Sequence, residues 1–110
     1  MKLAVVGSRG IGSIELGDYV FADVTEIVSG GAKGVDSIAR EYAKKTGLLL
    51  TEFLPKYNLY GKAAPIKRNR KIAEYADECL AFWDGKSKGT RSTIGFFKKL
   101  GKKVRVIIVS

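Results

Sequence analysis

Five short, nearly continuous apolar runs divide the chain and predict five β-strands. They occupy residues 2–7, 26–31, 48–53, 78–83 and 103–109. Each run is shorter than an ordinary helix, and the last is rich in β-branched residues, which favour strands. Because apolar residues follow one another instead of alternating with polar ones, we expect strands covered on both faces, as in a parallel sheet.

Between these runs the apolar residues recur every three or four positions, which predicts helices. Gly47 and Gly101 are placed to end two of them, and Pro65 is placed in the first turn of a third. A further helix over residues 15–22 has the weakest pattern, because Gly12 and Gly17 interrupt it. The side chains expected to face inward are Val35, Ile38, Ala39, Tyr42, Ala43, Ile66, Ile72, Ala73, Ala76, Ile94, Phe97 and Leu100.

The alternation of strands and helices predicts an α/β protein, a three-layer sandwich with right-handed crossovers between parallel strands. A chain of 110 residues suits one domain with one core, so we treat residues 1–110 as a single unit. No apolar run approaches the ~20 residues of a membrane span. The first run is too short for a secretory signal, and the single cysteine excludes an intrachain disulfide, so a cytoplasmic protein is expected.

Net charge and composition limit the partners and the site chemistry that the chain can have. The chain carries 20 basic and 11 acidic residues, a net charge of +9, which favours anionic partners, either nucleotides or polymers. It has no histidine, the commonest general acid/base and metal ligand, and no Cys/His cluster, so a metal site is not expected. Cys79 lies in a predicted buried strand, where an inert core thiol is the expected state.

Glycine-rich loops follow the first, second and fourth predicted strands. The carboxyl ends of parallel strands meet at one edge of a sheet, where ligands bind in open α/β folds. A strand, a glycine loop and a helix aim free N–H groups and the positive end of the helix dipole at an anion, and nearby basic and hydroxyl side chains add to the attraction. The candidate ligand-binding residues of these loops are Gly7, Ser8, Arg9, Ser29, Gly30, Gly31, Lys33, Gly34, Asp36, Asp84, Lys88, Gly89, Thr90, Arg91, Ser92 and Thr93.

Neither standard phosphate-binding fingerprint matches these loops. GSRGIG departs from G-x-G-x-x-G, and SGGAKGVD lacks the GK[ST] ending of a P-loop, so neither dinucleotide binding nor Mg-ATP hydrolysis is implied. A second interpretation stays open for each loop, namely a tight turn in which glycine serves only the backbone.

The segment after the third strand adds further candidates. Asn69 shares the apolar stripe of its helix, so it requires a polar partner: either it caps a neighbouring loop, or Arg68 and Asn69 reach the ligand cleft. The surrounding KRNRK run is typical of a solvated basic face. Tyr57 and Tyr60 stand in a long loop, where they would either stack on a base or pack as a lid or dimer contact.

Four motifs resemble the SLOG superfamily, in its YspA/YpsA-related branch. They are VVGSRGI (5–11), IVSGGAKGVD (27–36), the Arg68–Asn69 pair and FWDGKSKGTRSTI (82–94). The resemblance implies a Rossmann-like fold with strand order 3-2-1-4-5, a nucleotide-type ligand over strands one, two and four, no required cofactor, and a homodimer or higher homo-oligomer. The superfamily includes the Lonely Guy phosphoribohydrolases and DNA-processing protein A.

One position departs from the enzymes of that superfamily. The Lonely Guy motif G-T-x-x-E resembles Gly89–Thr90 but ends in a catalytic glutamate, where this chain has Thr93, which cannot act as a carboxylate. We therefore expect a protein that binds or senses a nucleotide or nucleotide-derived ligand. The alternatives are a nucleotide-processing hydrolase that uses Asp36 or Asp84, and a nucleic-acid binder related to DNA-processing protein A.

Overall fold

The five predicted strands form one parallel sheet in the computed structural model, which describes residues 1–109. Their order is β3-β2-β1-β4-β5, as predicted, and every neighbouring pair is parallel. Helices flank the sheet, so the architecture is a Rossmann-like three-layer sandwich. The strands are β1 (Lys2–Gly7), β2 (Glu26–Ser29), β3 (Leu49–Glu52), β4 (Glu78–Trp83) and β5 (Lys103–Ile108).

Four α-helices connect or follow these strands: α1 (Val35–Thr46), α2 (Tyr57–Tyr60), α3 (Ala64–Tyr75) and α4 (Lys88–Lys99). Three of them, α1, α3 and α4, begin and end close to the predicted signals. Pro65 lies in the first turn of α3, Gly47 follows α1, and Gly101 follows α4 by two residues. The short α2 lies in the segment that was expected to be a loop. No helix in residues 1–109 combines the length and apolar character that crossing a membrane requires.

Alternate residues of the central strands face two separate cores. Leu3 and Val5 of β1 pack on the side covered by α1, whereas Ala4 and Val6 pack on the side covered by α3 and α4. Phe97 of α4 is fully buried in the second core. This two-sided burial is the reason that β1 and β4 contain almost no polar positions.

The edge strands differ from the expectation of burial on both faces. Leu49 of β3 is 66% exposed and Ile108 of β5 is 64% exposed. The long helices lie over the middle of the sheet, so the outer strands receive less cover. The mostly apolar runs therefore predicted both edge strands correctly, but they did not predict the exposure of these edges.

Three details of the predicted helices were wrong. The segment 15–22 forms only a single turn of 3-10 helix, Leu16–Asp18, since each helical glycine costs about 1 kcal/mol relative to alanine. Ile66 is exposed although three and seven positions separate it from the buried Asn69 and Ala73; it lies in the first turn of α3 and borders a surface cavity with Tyr60 and Arg70. Leu100 is exposed because it follows the last residue of α4.

Two side chains complete the core on the α3 side. Lys102 holds the end of α3: its Nζ donates to the carbonyl oxygens of Ala73, Glu74 and Ala76 at 2.7, 3.0 and 2.8 Å. Cys79 is buried in β4, and burial raises the pKa of its thiol to about 12, so the thiol is unreactive at neutral pH. Neither side chain is free for chemistry.

A methyl group at position 7 should disturb the centre of the sheet. An ideal Cβ on Gly7 would lie 2.5 Å from the Phe82 carbonyl oxygen and 2.5 Å from Cγ2 of Val35. We expect Gly7→Ala to lower the free energy of unfolding by about 1–3 kcal/mol in urea titrations. The matched control is Gly10→Ala, where an added Cβ meets nothing within 4 Å, and it should change stability by less than about 0.5 kcal/mol. Equal urea midpoints for the two variants would contradict the close approach.

Candidate ligand-binding site

A cavity of about 260 Å³ opens at the carboxyl ends of β1, β2 and β4, beside α3. We call it the central cavity. It lies where the chain order reverses, between β1 and β4, which is the usual ligand position in open parallel sheets. The predicted site residues that line it are Gly7, Arg9, Gly30, Asp36, Arg68, Asn69, Gly89, Thr90 and Thr93, and they are joined by Val6, Ala32, Pro65, Ile72 and Ser87.

Arg68 and Asn69 link the three elements around the central cavity. Nη1 of Arg68 donates to the Gly30 carbonyl oxygen at 2.7 Å, and its Nε donates to Oδ1 of Asn69 at 2.9 Å. Nδ2 of Asn69 in turn donates to the Gly89 carbonyl oxygen at 3.4 Å. The β2 loop, α3 and the start of α4 are therefore held together. Within residues 1–109, these bonds leave Nη2 of Arg68 without a protein acceptor.

Asp36 is a buried carboxylate in the same wall. It is only 8% exposed, and its Oδ2 accepts a hydrogen bond from the Ala32 N–H at 3.0 Å. Burial raises the pKa of Asp36, while the Ala32 N–H, the Arg68 charge and the Ser29 hydroxyl act in the opposite direction. The carboxylate thus orders the β2 loop and also borders the cavity. No group of three or more His, Cys, Asp or Glu side chains that could hold a metal ion occurs in the described part of the chain.

Most of the loop glycines serve contacts within the protein. An ideal Cβ on Gly30 would lie 2.6 Å from Nη1 of Arg68, and one on Gly34 would lie 2.5 Å from the Arg9 carbonyl oxygen. Gly31 and Gly34 also have positive φ angles of 68° and 72°. Gly89 differs, because an added Cβ there meets nothing within 4 Å. Among the glycines that line the central cavity, Gly89 is the one with open space beside its Cα atom.

The first turn of α4 supplies donors to the central cavity. Ser87 is the N-cap, and its Oγ accepts a weak hydrogen bond from the Thr90 N–H at 3.4 Å. The N–H groups of Lys88 and Gly89 belong to the first helical turn, where no carbonyl oxygen of the helix accepts them. They are therefore available to donate to an anion. The Thr93 hydroxyl donates to the Gly89 carbonyl oxygen at 3.2 Å and lies on the cavity wall.

Asp84 lies outside the cavity lining. Its Oδ1 accepts hydrogen bonds from the N–H groups of Lys86 and Ser87, both at 2.8 Å, and these bonds lower its pKa. Its own N–H donates to Oγ of the buried Ser8 at 3.3 Å. Asp84 therefore shapes the loop that starts α4.

The other predicted residues outside the lining fall into two groups. Ser29 and Gly31 support the β2 loop, where the Gly31 N–H donates to the Ser29 hydroxyl at 3.3 Å, and Gly34 allows the contact with Arg9. Lys33, Lys88 and Arg91 are exposed on the surface, and Ser92 is half-buried in α4. Pro65 and Ile72 were missed as site residues, although they share the α3 stripe of Asn69 and could have been found from that spacing.

Comparison with known proteins adds a sequence relative without a stated activity. No family model and no solved structure matches this chain. The chain is similar to the Gene 61 protein of Mycobacterium phage D29, at 37% identity over 68% of this chain and 65% of the phage protein. The matched region is thus slightly less than two thirds of the phage protein. Its name states no ligand or reaction.

The buried carboxylate of Asp36 should give the folded protein a measurable pH dependence. Because its folded pKa is raised above the unfolded value of 3.8, ionising this group as the pH rises from that value lowers stability. Asp36→Asn stays neutral and keeps an oxygen for the Ala32 N–H. We expect the stability of this variant relative to the parent to increase between about pH 3 and pH 7 in urea titrations. A difference that is constant or that shrinks would contradict the raised pKa.

Proposed function

We propose that this protein binds or senses a nucleotide or nucleotide-derived small molecule in the central cavity, and that it belongs to the SLOG superfamily. One observation carries the proposal: the start of α4 and the two basic residues Arg9 and Arg68 border one cavity at the carboxyl edge of the sheet. The motifs that resemble the superfamily also lie around this cavity. A homo-oligomeric assembly, expected from the same resemblance, is part of the proposal.

The phosphate group of such a ligand would occupy the cavity beside Gly89. There the free N–H groups of the first α4 turn and the helix dipole favour negative charge, and hydrogen bonds to a charged group contribute about 1.5–3 kcal/mol each. Arg68 retains Nη2 for a further charge-assisted bond. Asp36, on the β2 side of the cavity, suits a hydroxyl group of a ribose.

The size of the central cavity favours partial enclosure of the ligand. About 260 Å³ is slightly below the ~300–1,000 Å³ of ordinary small-molecule sites. A ribose phosphate would fill it, so the base would extend toward the cavity mouth. Binding without cleavage agrees with Thr93, whose hydroxyl is engaged with Gly89 at the position where the Lonely Guy enzymes have their glutamate.

A second candidate, hydrolysis of the nucleotide, is favoured by the raised pKa of Asp36. A buried carboxyl group that borders a cavity is a common general acid or base. In this case, incubation with ribonucleoside monophosphates should release free base, and Asp36→Asn should abolish the release. Base release that survives in this variant would exclude Asp36 as the catalytic group, and ligand-induced melting shifts without any product would support binding alone.

Gly89→Ala is the sharpest test of the binding site. Apart from its chain neighbours and the backbone of α4, no protein atom lies within 4 Å of the new methyl group, and alanine is favoured over glycine in a helix, so the variant should be at least as stable as the parent. The same methyl group would separate a phosphate from the α4 N–H groups. We expect nucleotide affinity, measured by calorimetry over the ribonucleoside mono-, di- and triphosphates, to fall by about tenfold or more.

The matched control is Gly95→Ala, in the same helix and also without a protein atom within 4 Å. It should retain full affinity while gaining similar stability. If both variants bind every nucleotide as the parent does, or if the parent binds none of them, the central cavity is not the nucleotide site.

A further inference from the structure

A second cavity, of about 490 Å³, lies on the other side of Arg68. We call it the lateral cavity. It is formed by the end of β3, the segment that follows it and the outer face of α3. Arg68 lines both cavities, so one guanidinium group stands between them. A ligand that passes Arg68 would therefore meet both.

The helical repeat of α3 separates its side chains between the two cavities. Lys67 and Lys71, one turn apart, line the lateral cavity, whereas Asn69 and Ile72 line the central cavity. Arg68 lies between these two stripes. The two lysines of the KRNRK run that line the lateral cavity, Lys67 and Lys71, are also exposed to solvent.

The positive charge of the lateral cavity is only partly balanced by the protein, because four basic side chains line it and Glu74 borders Lys67 and Lys71 from outside it. Lys56, Lys67, Arg68 and Lys71 line it, and the acidic side chain there is Glu52. The Glu52 carboxylate already pairs with Arg40, since its Oε2 lies 2.9 Å from Nη2 and 3.0 Å from Nε of that residue. Like charges one helical turn apart repel, so Lys67 and Lys71 slightly destabilise the folded protein. An anion in the lateral cavity would remove that repulsion.

The apolar part of the lateral cavity limits what the anion is attached to. Phe53 and Tyr60 contribute aromatic surface, and Nζ of Lys67 lies 5.2 Å above the Tyr60 ring. A flat or weakly polar group packs against these rings, while its phosphate contacts the lysines. This combination is characteristic of a nucleotide and unlike a bare inorganic ion.

We propose that the lateral cavity is a second anion subsite, which takes the distal phosphate of a nucleotide-type ligand that carries two separated phosphate groups. The first phosphate lies in the central cavity and Arg68 contacts both, so this inference rests on the proposed function. The preferred ligand class is then a nucleoside bisphosphate or a dinucleotide, in preference to a monophosphate.

The test compares ribonucleoside 5′-monophosphates with the corresponding 3′,5′-bisphosphates by calorimetry. The parent protein should bind a bisphosphate at least about tenfold more tightly than its monophosphate. In Lys67→Gln/Lys71→Gln this advantage should disappear while monophosphate affinity stays the same. The charge-matched control, Lys98→Gln/Lys99→Gln, changes the last turn of α4, far from the cavities, and should keep the full advantage.

The outcomes separate this inference from the proposed function. Suppose that monophosphate binding depends on Gly89. If the parent then shows no bisphosphate advantage, or if that advantage survives in Lys67→Gln/Lys71→Gln, the second subsite alone is overturned. Tight, salt-sensitive binding of a single-stranded oligonucleotide that these lysine changes weaken, with no bisphosphate advantage, would replace it with a polymer site. An absence of all nucleotide binding would overturn both proposals.

Discussion

Backbone packs against backbone so closely at the carboxyl edge of this sheet that a side chain would collide at Gly7 and Gly34. Gly7 brings β1 against the Phe82 carbonyl group and against Val35 at the start of α1, and Gly34 brings the β2 loop against Arg9. These contacts place the loops after β1, β2 and β4 around one point. The central cavity is the space that remains, so the site depends on the same constraint as the centre of the sheet.

Around the central cavity, hydrogen bonds between polar groups take the place of apolar packing. Arg68 is a partly buried cation, and burial lowers its pKa while the Asp36 carboxylate acts in the opposite direction. Its bonds to Gly30 and Asn69 satisfy two of its nitrogens, and Asn69 carries the connection to α4. Buried polar groups that are hydrogen-bonded in this way specify one arrangement of the surrounding loops. Such preorganisation would reduce the entropy lost on binding of the proposed ligand.

The order of the strands and the placement of the three long helices follow from patterns that the sequence shows directly. Runs such as 2–7 and 78–83 are nearly continuous in apolar residues, and glycine or proline marks the helix ends. The edge strands and the 15–22 segment were less predictable, because burial there depends on which helices cover the sheet and not on local apolar content. Likewise, a glycine in a loop looks the same whether it admits a ligand or a neighbouring strand. Only the geometry separates Gly30, which admits Arg68, from Gly89, which faces open space.

That separation changes how the glycine-rich loops bear on function. If the space beside every loop glycine were open, the β2 loop would be the natural phosphate-binding loop. Instead, atoms of Arg68, Leu54 and Arg9 fill the space beside its three glycines. The open backbone is at α4, where the helix dipole already favours an anion. The β2 loop contributes instead through what it holds, namely Asp36 and the carbonyl group that orients Arg68. In the proposed binding mode, charge recognition would therefore fall to α4 and the arginines, and the β2 loop would fix the position of Arg68.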